Sequence, residues 1–288
     1  MRFRAIVVVM VAGAVTLVAQ ARPPIVGVAH VAVQTSDLAK ARRFYSGLLG
    51  YAEVPLPGHP HAAIFAVNER QRLIVHDGLP PERDERLLDV AFETMNVEGL
   101  REYLLARGSH VTEPTHDVEV GGRQIEVVDP DGHRVQFVQL DRETRASAIA
   151  SPDRRVSRRI LHAGLTVRDA AAADGFYKGT LAFSEIWRGG RTDAQTDWIN
   201  MKVPDGTDYL EYMLVSGPVD RERLGSLHHM ALLVPDIQAA LETVRARPGG
   251  SDPKAVRTPQ VGRNKRWQLN LFDPDGSRTE LMEPFTMR

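Results

Sequence analysis

From Val26 onward, short β-rich apolar runs alternate with single amphipathic segments. Val26 to Gln34 is a Val-rich run that carries His30. Thr35-Ser36-Asp37 is a helix-opening signal, and Leu38, Ala41, Phe44 and Tyr45 then recur at helical spacing until the glycines at 47 and 50. Tyr51 to Val54, Ala62 to Val67 and Leu73 to His76 read as strands, with a turn at Pro55-Leu56-Pro57-Gly58. The order is β-α-β-β-β, and it recurs. Leu87 to Glu93 reads as a strand. Val97 to Arg107 reads as a helix with Leu100, Leu104 and Leu105 on one face, closed by Gly108. Val118 to Val120, Gln124 to Val128 and Arg134 to Leu140 read as strands around Gly121-Gly122 and Asp129-Pro130-Asp131-Gly132. Asp141 to Arg159 is polar and basic and contains Pro152, which predicts a linker.

The second half replays the first. His162 falls on His30 at a shift of 132, and without a gap Asp169 then falls on Asp37, Phe176-Tyr177 on Phe44-Tyr45, and Glu185 on Glu53. Asp273-Pro274-Asp275-Gly276 falls on Asp129-Pro130-Asp131-Gly132, which sets Glu280 on Gln136, while His229 falls on Asp89. The chain is therefore one β-α-β-β-β unit written four times. The expectation is an α+β protein with domains at 25–141 and 159–286 and a linker at 142–158.

Composition narrows the chemistry. The formal net charge is −1, which gives no pull toward nucleic acid or anionic lipid. The absence of cysteine removes disulfides, thiolate nucleophiles and Cys-based zinc sites. Any metal must be held by His, Asp or Glu. At the N-terminus, Arg2 and Arg4 precede an apolar run from Ala5 to Val18, followed by Ala19-Gln20-Ala21. That pattern predicts a signal peptide over residues 1–21 and export to the periplasm or medium; the run is short for a spanning helix. The expected partner is a small molecule, with no membrane contact beyond that segment and a homodimer left open.

Four residues carry the candidate chemistry. His162 and His229 sit in apolar strand runs, as do Glu211 and Glu280, and they occupy corresponding positions of adjacent units. Strand alternation puts residues two apart on one face. An ionised glutamate inside an apolar sheet is costly without a cation. Two imidazoles and two carboxylates suit one divalent first-row ion: Fe, Mn, Zn, Ni or Co. The first half offers only His30, Asp89 and Gln136, so a single working site is expected. Trp198, Asn200, Tyr209, Arg263, Asn264 and Trp267 are the candidate substrate contacts.

The unit-opening pattern (His, Asp seven on, then Phe-Tyr) and the Asp-Pro-Asp-Gly…Glu closing pattern resemble the vicinal oxygen chelate superfamily, from Val26 to Pro284. This group includes glyoxalase, type I extradiol dioxygenases, fosfomycin-resistance enzymes and bleomycin-binding proteins. The resemblance implies that two units pair into an open eight-stranded barrel whose metal ligands point into a cup. It implies either glyoxalase-type lyase or isomerase chemistry, with Glu280 or Glu211 as base, or extradiol ring cleavage with iron on His162, His229 and Glu280. The extradiol pattern also has an acid–base His and a Tyr in the strand before the last ligand. Here that strand has neither, and Asn270 stands near the Tyr position. The filled ligand set favours the glyoxalase type, and a metal-free binding protein is the third alternative.

Overall fold

The computed structural model describes residues 21–142, 144 and 153–287. All of the expected signal segment except Ala21, and much of the expected linker, lie outside them. No helix among the described residues is long and apolar enough to cross a membrane.

Two open, curled eight-stranded sheets form the molecule. The N-terminal sheet contains β1 (Ile25–Gln34), β2 (Glu53–Val54), β3 (Ala62–Ala66), β4 (Arg72–His76), β5 (Leu87–Thr94), β6 (Thr115–Asp117), β7 (Gly122–Val128) and β8 (Arg134–Leu140). Its order is β2-β3-β4-β1-β5-β8-β7-β6, so each β-α-β-β-β unit forms half of it and the two opening strands pair antiparallel at the centre. The C-terminal sheet repeats this as β10-β11-β12-β9-β13-β16-β15-β14. Its strands are β9 (Ile160–Val167), β10 (Ser184–Gly189), β11 (Trp198–Lys202), β12 (Tyr209–Leu214), β13 (His229–Leu233), β14 (Gln260–Val261), β15 (Trp267–Phe272) and β16 (Arg278–Met282).

Each unit's helix follows its opening strand. Asp37, Asn96, Asp169 and Asp236 cap α1 (Leu38–Arg42), α2 (Val97–Leu105), α3 (Ala170–Asp174) and α5 (Ile237–Arg245), each accepting backbone N–H groups. The helical run expected after Asp37 is not one α-helix. It widens to a π-helix at Arg43–Leu48, and its counterpart widens at Gly175–Thr180. A short α4 (Arg221–Leu227) precedes β13. The strand expected at Val118 to Val120 is a turn instead. Asp117 Oδ1 accepts from the N–H groups of Glu119 and Val120, and Gly121 takes φ 71°.

One face of each sheet packs against the helices and against the other domain. Val31, Val33, Val90 and Phe92 join Ala163, Leu165, Met230 and Leu232 in one continuous core. The opposite, concave faces form the two cups.

The two domains hold each other through the repeated Asp-Pro-Asp-Gly turns. Tyr45 Oη donates to Asp273 Oδ2 at 3.0 Å, and Tyr177 Oη donates to Asp129 Oδ2 at 3.0 Å. Asp275 Oδ2 accepts from Ser36 N at 3.0 Å, and Asp131 Oδ1 accepts from Arg168 N at 3.0 Å. Each turn therefore clasps the start of the other domain's first helix, and the two clasps are related by the internal repeat.

Candidate metal centre

The C-terminal cup gathers its polar groups on four adjacent strands, β12-β9-β13-β16. Register does the gathering. Gly164 lies between Glu211 on one side and His229 on the other, and Ala231 lies between His162 and Glu280. All six residues share the concave face. The two small ones leave the space into which the four large ones lean. A Cβ on Gly164 would lie 2.0 Å from His229 Cε1, so only glycine lets this imidazole cross β9.

The four side chains converge. His162 Nε2 and His229 Nε2 are 3.0 Å apart. Glu211 Oε2 is 3.7 Å from the first and 3.3 Å from the second, and Glu280 Oε2 is 3.6 Å from each. All four are buried. At metal–ligand lengths of about 2.1 Å, neighbouring ligand atoms lie roughly 3.0 Å apart in an octahedron and 3.4 Å in a tetrahedron. The His162–His229 and His229–Glu211 separations fall in that range, and the other three, at 3.6 to 3.7 Å, lie a few tenths of an ångström beyond it. His162, Glu211 and His229 form the compact group, and Glu280 stands at its side.

The electrostatics fit a cation. Burial lowers the His162 imidazole to about 3, with Glu211 opposing, and it holds His229 well below its ordinary value. Both rings are neutral and keep a free lone pair. The Nδ1 of His229 donates to Leu227 O at 2.9 Å, an assignment made from that bond, which leaves its Nε2 as the bare nitrogen. Burial pushes the Glu280 carboxyl up to about 7, Arg278 opposes, and Glu211 adds to the rise. Two buried carboxylates beside two neutral imidazoles are what a divalent ion relieves. The residues present fit the metal that the sequence implies.

The other predicted residues divide. Trp198, Arg263 and Asn264 line a cavity of about 380 Å³ whose floor includes Glu211 and Glu280. Tyr209 lies behind the centre instead of facing the cavity. Its ring stacks on His162 at 4.4 Å, and its hydroxyl reaches Met282 Sδ at 3.6 Å. Asn200 is buried opposite Glu211 on β11, with Oδ1 unpartnered. Trp267 packs against the hydrophobic core, on the far face of β15 from Asn270. The cavity also takes Arg223, Ser226 and Leu227 from α4, and Asn270 and Arg278 from the last hairpin. None of these was singled out as a substrate contact. The repeat register offered a signal for Arg278, since it falls on Arg134.

The N-terminal cup has different chemistry. His30 Nε2 lies 2.8 Å from Asp89 Oδ1, where the C-terminal cup has two imidazoles. Ile74 stands at the register position of Glu211, and Arg72 at that of Tyr209. The surrounding concave face is apolar: Ala29, Ala32, Ile64, Ala91 and Val138. A second cluster, Glu85, His133 and His228, lies at the domain interface with ligand-type atoms within 4.8 Å of one another. Thr166 Oγ1 bridges its imidazoles at 3.2 and 3.0 Å, and Asp129 holds the other nitrogen of His133 at 3.0 Å. His228 thus faces away from the cup that His229 enters.

A family model described as the Glyoxalase/Bleomycin resistance protein/Dioxygenase superfamily matches residues 27–137 and 159–281. Among solved structures, the 2,3-dioxygenase LapB from Pseudomonas sp. KL28 is similar at TM-score 0.69 and 14% identity, covering 91% of this chain and 93% of that one. Homoprotocatechuate 2,3-dioxygenase from Brevibacterium fuscum, in complex with 3,4-dihydroxyphenylacetate, is similar at TM-score 0.67 and 21% identity, covering 92% and 82%. The enzyme of the same name from Arthrobacter globiformis gives TM-score 0.67 and 20% identity, covering 91% and 80%. At these identities the likeness is one of fold. No curated protein sequence matches the chain.

Proposed function

Since the chain belongs to the glyoxalase/bleomycin resistance protein/dioxygenase superfamily, we propose that it is a metal-dependent enzyme whose C-terminal cup chelates two neighbouring oxygens of a small substrate. The observation that carries this is the meeting of His162 Nε2 and His229 Nε2 at 3.0 Å, with a carboxylate oxygen of Glu211 and one of Glu280 each 3.3 to 3.7 Å from both. Bound there, one divalent ion (Fe, Mn, Zn, Ni or Co) would act as a Lewis acid toward those oxygens and, if iron, would also serve dioxygen chemistry.

The first reaction we infer is ring-opening dioxygenation of a dihydroxylated aromatic. The two-domain dioxygenase structures support it, because their likeness spans nearly the whole chain. So does the His162, His229 and Glu280 set, a 2-His-1-carboxylate arrangement. In this reading Trp198 and Asn264 wall the ring, and Arg263 faces its outer edge. A second reading has its own observation. Glu211 Oε2 sits 3.3 Å from His229 Nε2 as a fourth donor, and among the described residues no imidazole or phenol lines the cavity to move protons. Glu211 or Glu280 would then take a proton from a substrate carbon next to a chelated carbonyl, giving isomerase or lyase chemistry.

Metal analysis tests the common premise. We expect one ion per chain, lost in His229→Ala and kept in His30→Ala; a metal-poor wild-type protein refutes the proposal. Oxygen uptake with catechol, protocatechuate and 3,4-dihydroxyphenylacetate then separates the reactions. Uptake supports the first. Anaerobic exchange of substrate carbon-bound hydrogen with solvent deuterium, without uptake, supports the second. We propose export as well, on Arg2, Arg4 and the apolar run that follows. The mature chain would begin at Arg22, and N-terminal sequencing of protein made with its full leader checks it.

A further inference from the structure

Arg278 opens β16 two residues before Glu280, so both side chains project into the cup. Its Nε and Nη2 are buried and, among the described residues, have no hydrogen-bond partner. The internal repeat supplies the comparison. Arg134 stands two residues before Gln136 in β8, as Arg278 stands before Glu280. There the same edge is satisfied: Arg134 Nε and Nη2 donate to Glu126 Oε2 at 2.8 and 2.6 Å. Glu126 lies opposite Gln136 on β7, and the residue opposite Glu280 on β15 is Asn270. The C-terminal copy thus keeps the cation and carries an amide where the carboxylate would be. Asn270 Oδ1 is itself buried without a donor. Both residues line the same cavity as Glu211 and Glu280.

Charge points the same way. Two carboxylates balance a divalent ion, and the imidazoles are neutral. Among the ion, Glu211, Glu280 and Arg278, the guanidinium leaves one positive charge in excess, and Arg223 and Arg263 on the same cavity wall add to the positive side. Arg278 is half-buried, a guanidinium edge buried without a partner is costly, and the Nε–Nη2 edge matches a carboxylate in shape.

We propose that Arg278 and Asn270 form an anion subsite that receives a carboxylate of the substrate in place of the one Glu126 supplies in the N-terminal copy. Asn270 Oδ1 accepts a hydroxyl or N–H of the same molecule. The inference rests on the metal-centre reading and narrows it: the substrate is a small carboxylic acid with adjacent oxygens near its acid end.

The test uses the full mature chain as purified, with its metal content measured in every variant. Tryptophan fluorescence, reported by Trp187 and Trp198 at the cavity wall, follows binding of glycolate, protocatechuate and 3,4-dihydroxyphenylacetate, each beside its methyl ester. We expect at least one acid to bind about tenfold or more tighter than its ester, the scale of a hydrogen bond to a charged group. Arg278→Met should erase that preference, and Arg278→Lys should keep part of it. Asn270→Glu should erase it too while raising the unfolding temperature, because it rebuilds the pair seen at Arg134. Three results each overturn the proposal: no acid preferred over its ester, a preference that survives in Arg278→Met, or an Asn270→Glu chain no more stable than wild type. Metal content unchanged in these variants assigns such a failure to the subsite; metal lost from the wild type assigns it to the centre.

Discussion

Gly164→Ala adds one methyl group at the tightest point of the cup. The new Cβ would lie 2.0 Å from His229 Cε1, 2.1 Å from Nδ1 and 3.0 Å from Nε2. Carbon atoms in contact sit about 3.5 to 4.0 Å apart, so the ring must retreat by roughly 1.5 Å. Metal–ligand lengths tolerate about 0.2 Å. The ring therefore leaves the shared point, and its Nδ1 bond to Leu227 O, at 2.9 Å, goes with it. Disturbing only the partner of a ligand costs up to about 100-fold in metal affinity, so displacing the ligand should cost at least that. Overpacking of this size lowers stability by about 1 to 3 kcal/mol, which leaves the metal-free protein folded. Competition with a chromophoric chelator measures the affinity, and the visible spectrum of the cobalt-loaded protein reports the ligand set. Ala32→Gly, at the same register position of the N-terminal sheet, is the control and should change neither. A Gly164→Ala protein with wild-type affinity and an unaltered cobalt spectrum would refute the claim that this glycine admits His229 to the centre.

Three further outcomes follow from the geometry. Tyr45→Phe removes the donor to Asp273 Oδ2, which has no other among the described residues, and should cost about 1 to 3 kcal/mol in urea denaturation. Tyr177→Phe should cost less, because Asp129 Oδ2 keeps His133 Nδ1 at 3.0 Å. Burial pushes Asp273 up to about 6, so the stability tied to its protonated form is complete below pH 4 and lost as pH rises through 6. Wild type should lose up to about 3 kcal/mol over that interval relative to Asp273→Asn, and parallel stability curves for the two proteins would contradict it. Asp129 behaves oppositely: burial raises it, but hydrogen bonding and charge from His133 outweigh that and leave it lowered. Tyr209→Ala frees the face of His162 and should weaken metal binding by about 10- to 100-fold, while Tyr209→Phe keeps the stacked ring and the affinity.

The repeat makes the fold legible in the sequence, and with it the grouping of the four candidate ligands on one face. Once His162 is set on His30 and the Asp-Pro-Asp-Gly turns are superposed, strand parity sends His162, Glu211, His229 and Glu280 to one face. The same parity would have placed Trp267 correctly: it is three residues from Asn270, hence on the other face of β15, against the core. Aromatic character by itself does not say which face of a strand a residue takes, whereas alternation does. Tyr209 does share the ligand face, but its proximity to His162 turned it into a support behind the ring. Arg278 was readable only by asking what each copy does with its arginine, a question that Glu126 against Asn270 answers. The Val118-x-Val120 alternation suggests a strand, and Asp117 capping the N–H groups of Glu119 and Val120 overrides it. What lay beyond reach was the domain contact. A turn motif states its own shape, and nothing in Asp129 or Asp273 names the tyrosine it will meet in the other half.

The reciprocal clasp bears on how the polypeptide matures as it emerges from the ribosome. The acceptor oxygen of Asp129 meets His133 within its own half and takes a second donor, the phenol of Tyr177, that is translated later. The last hairpin turn of the second half closes on its own backbone, but the outer oxygens of Asp273 and Asp275 find their donors only in Tyr45 and Ser36, already made. A cup with no ligand set of its own is in this way retained as a template, and cutting the gene between the halves should yield two insoluble fragments rather than a smaller working enzyme.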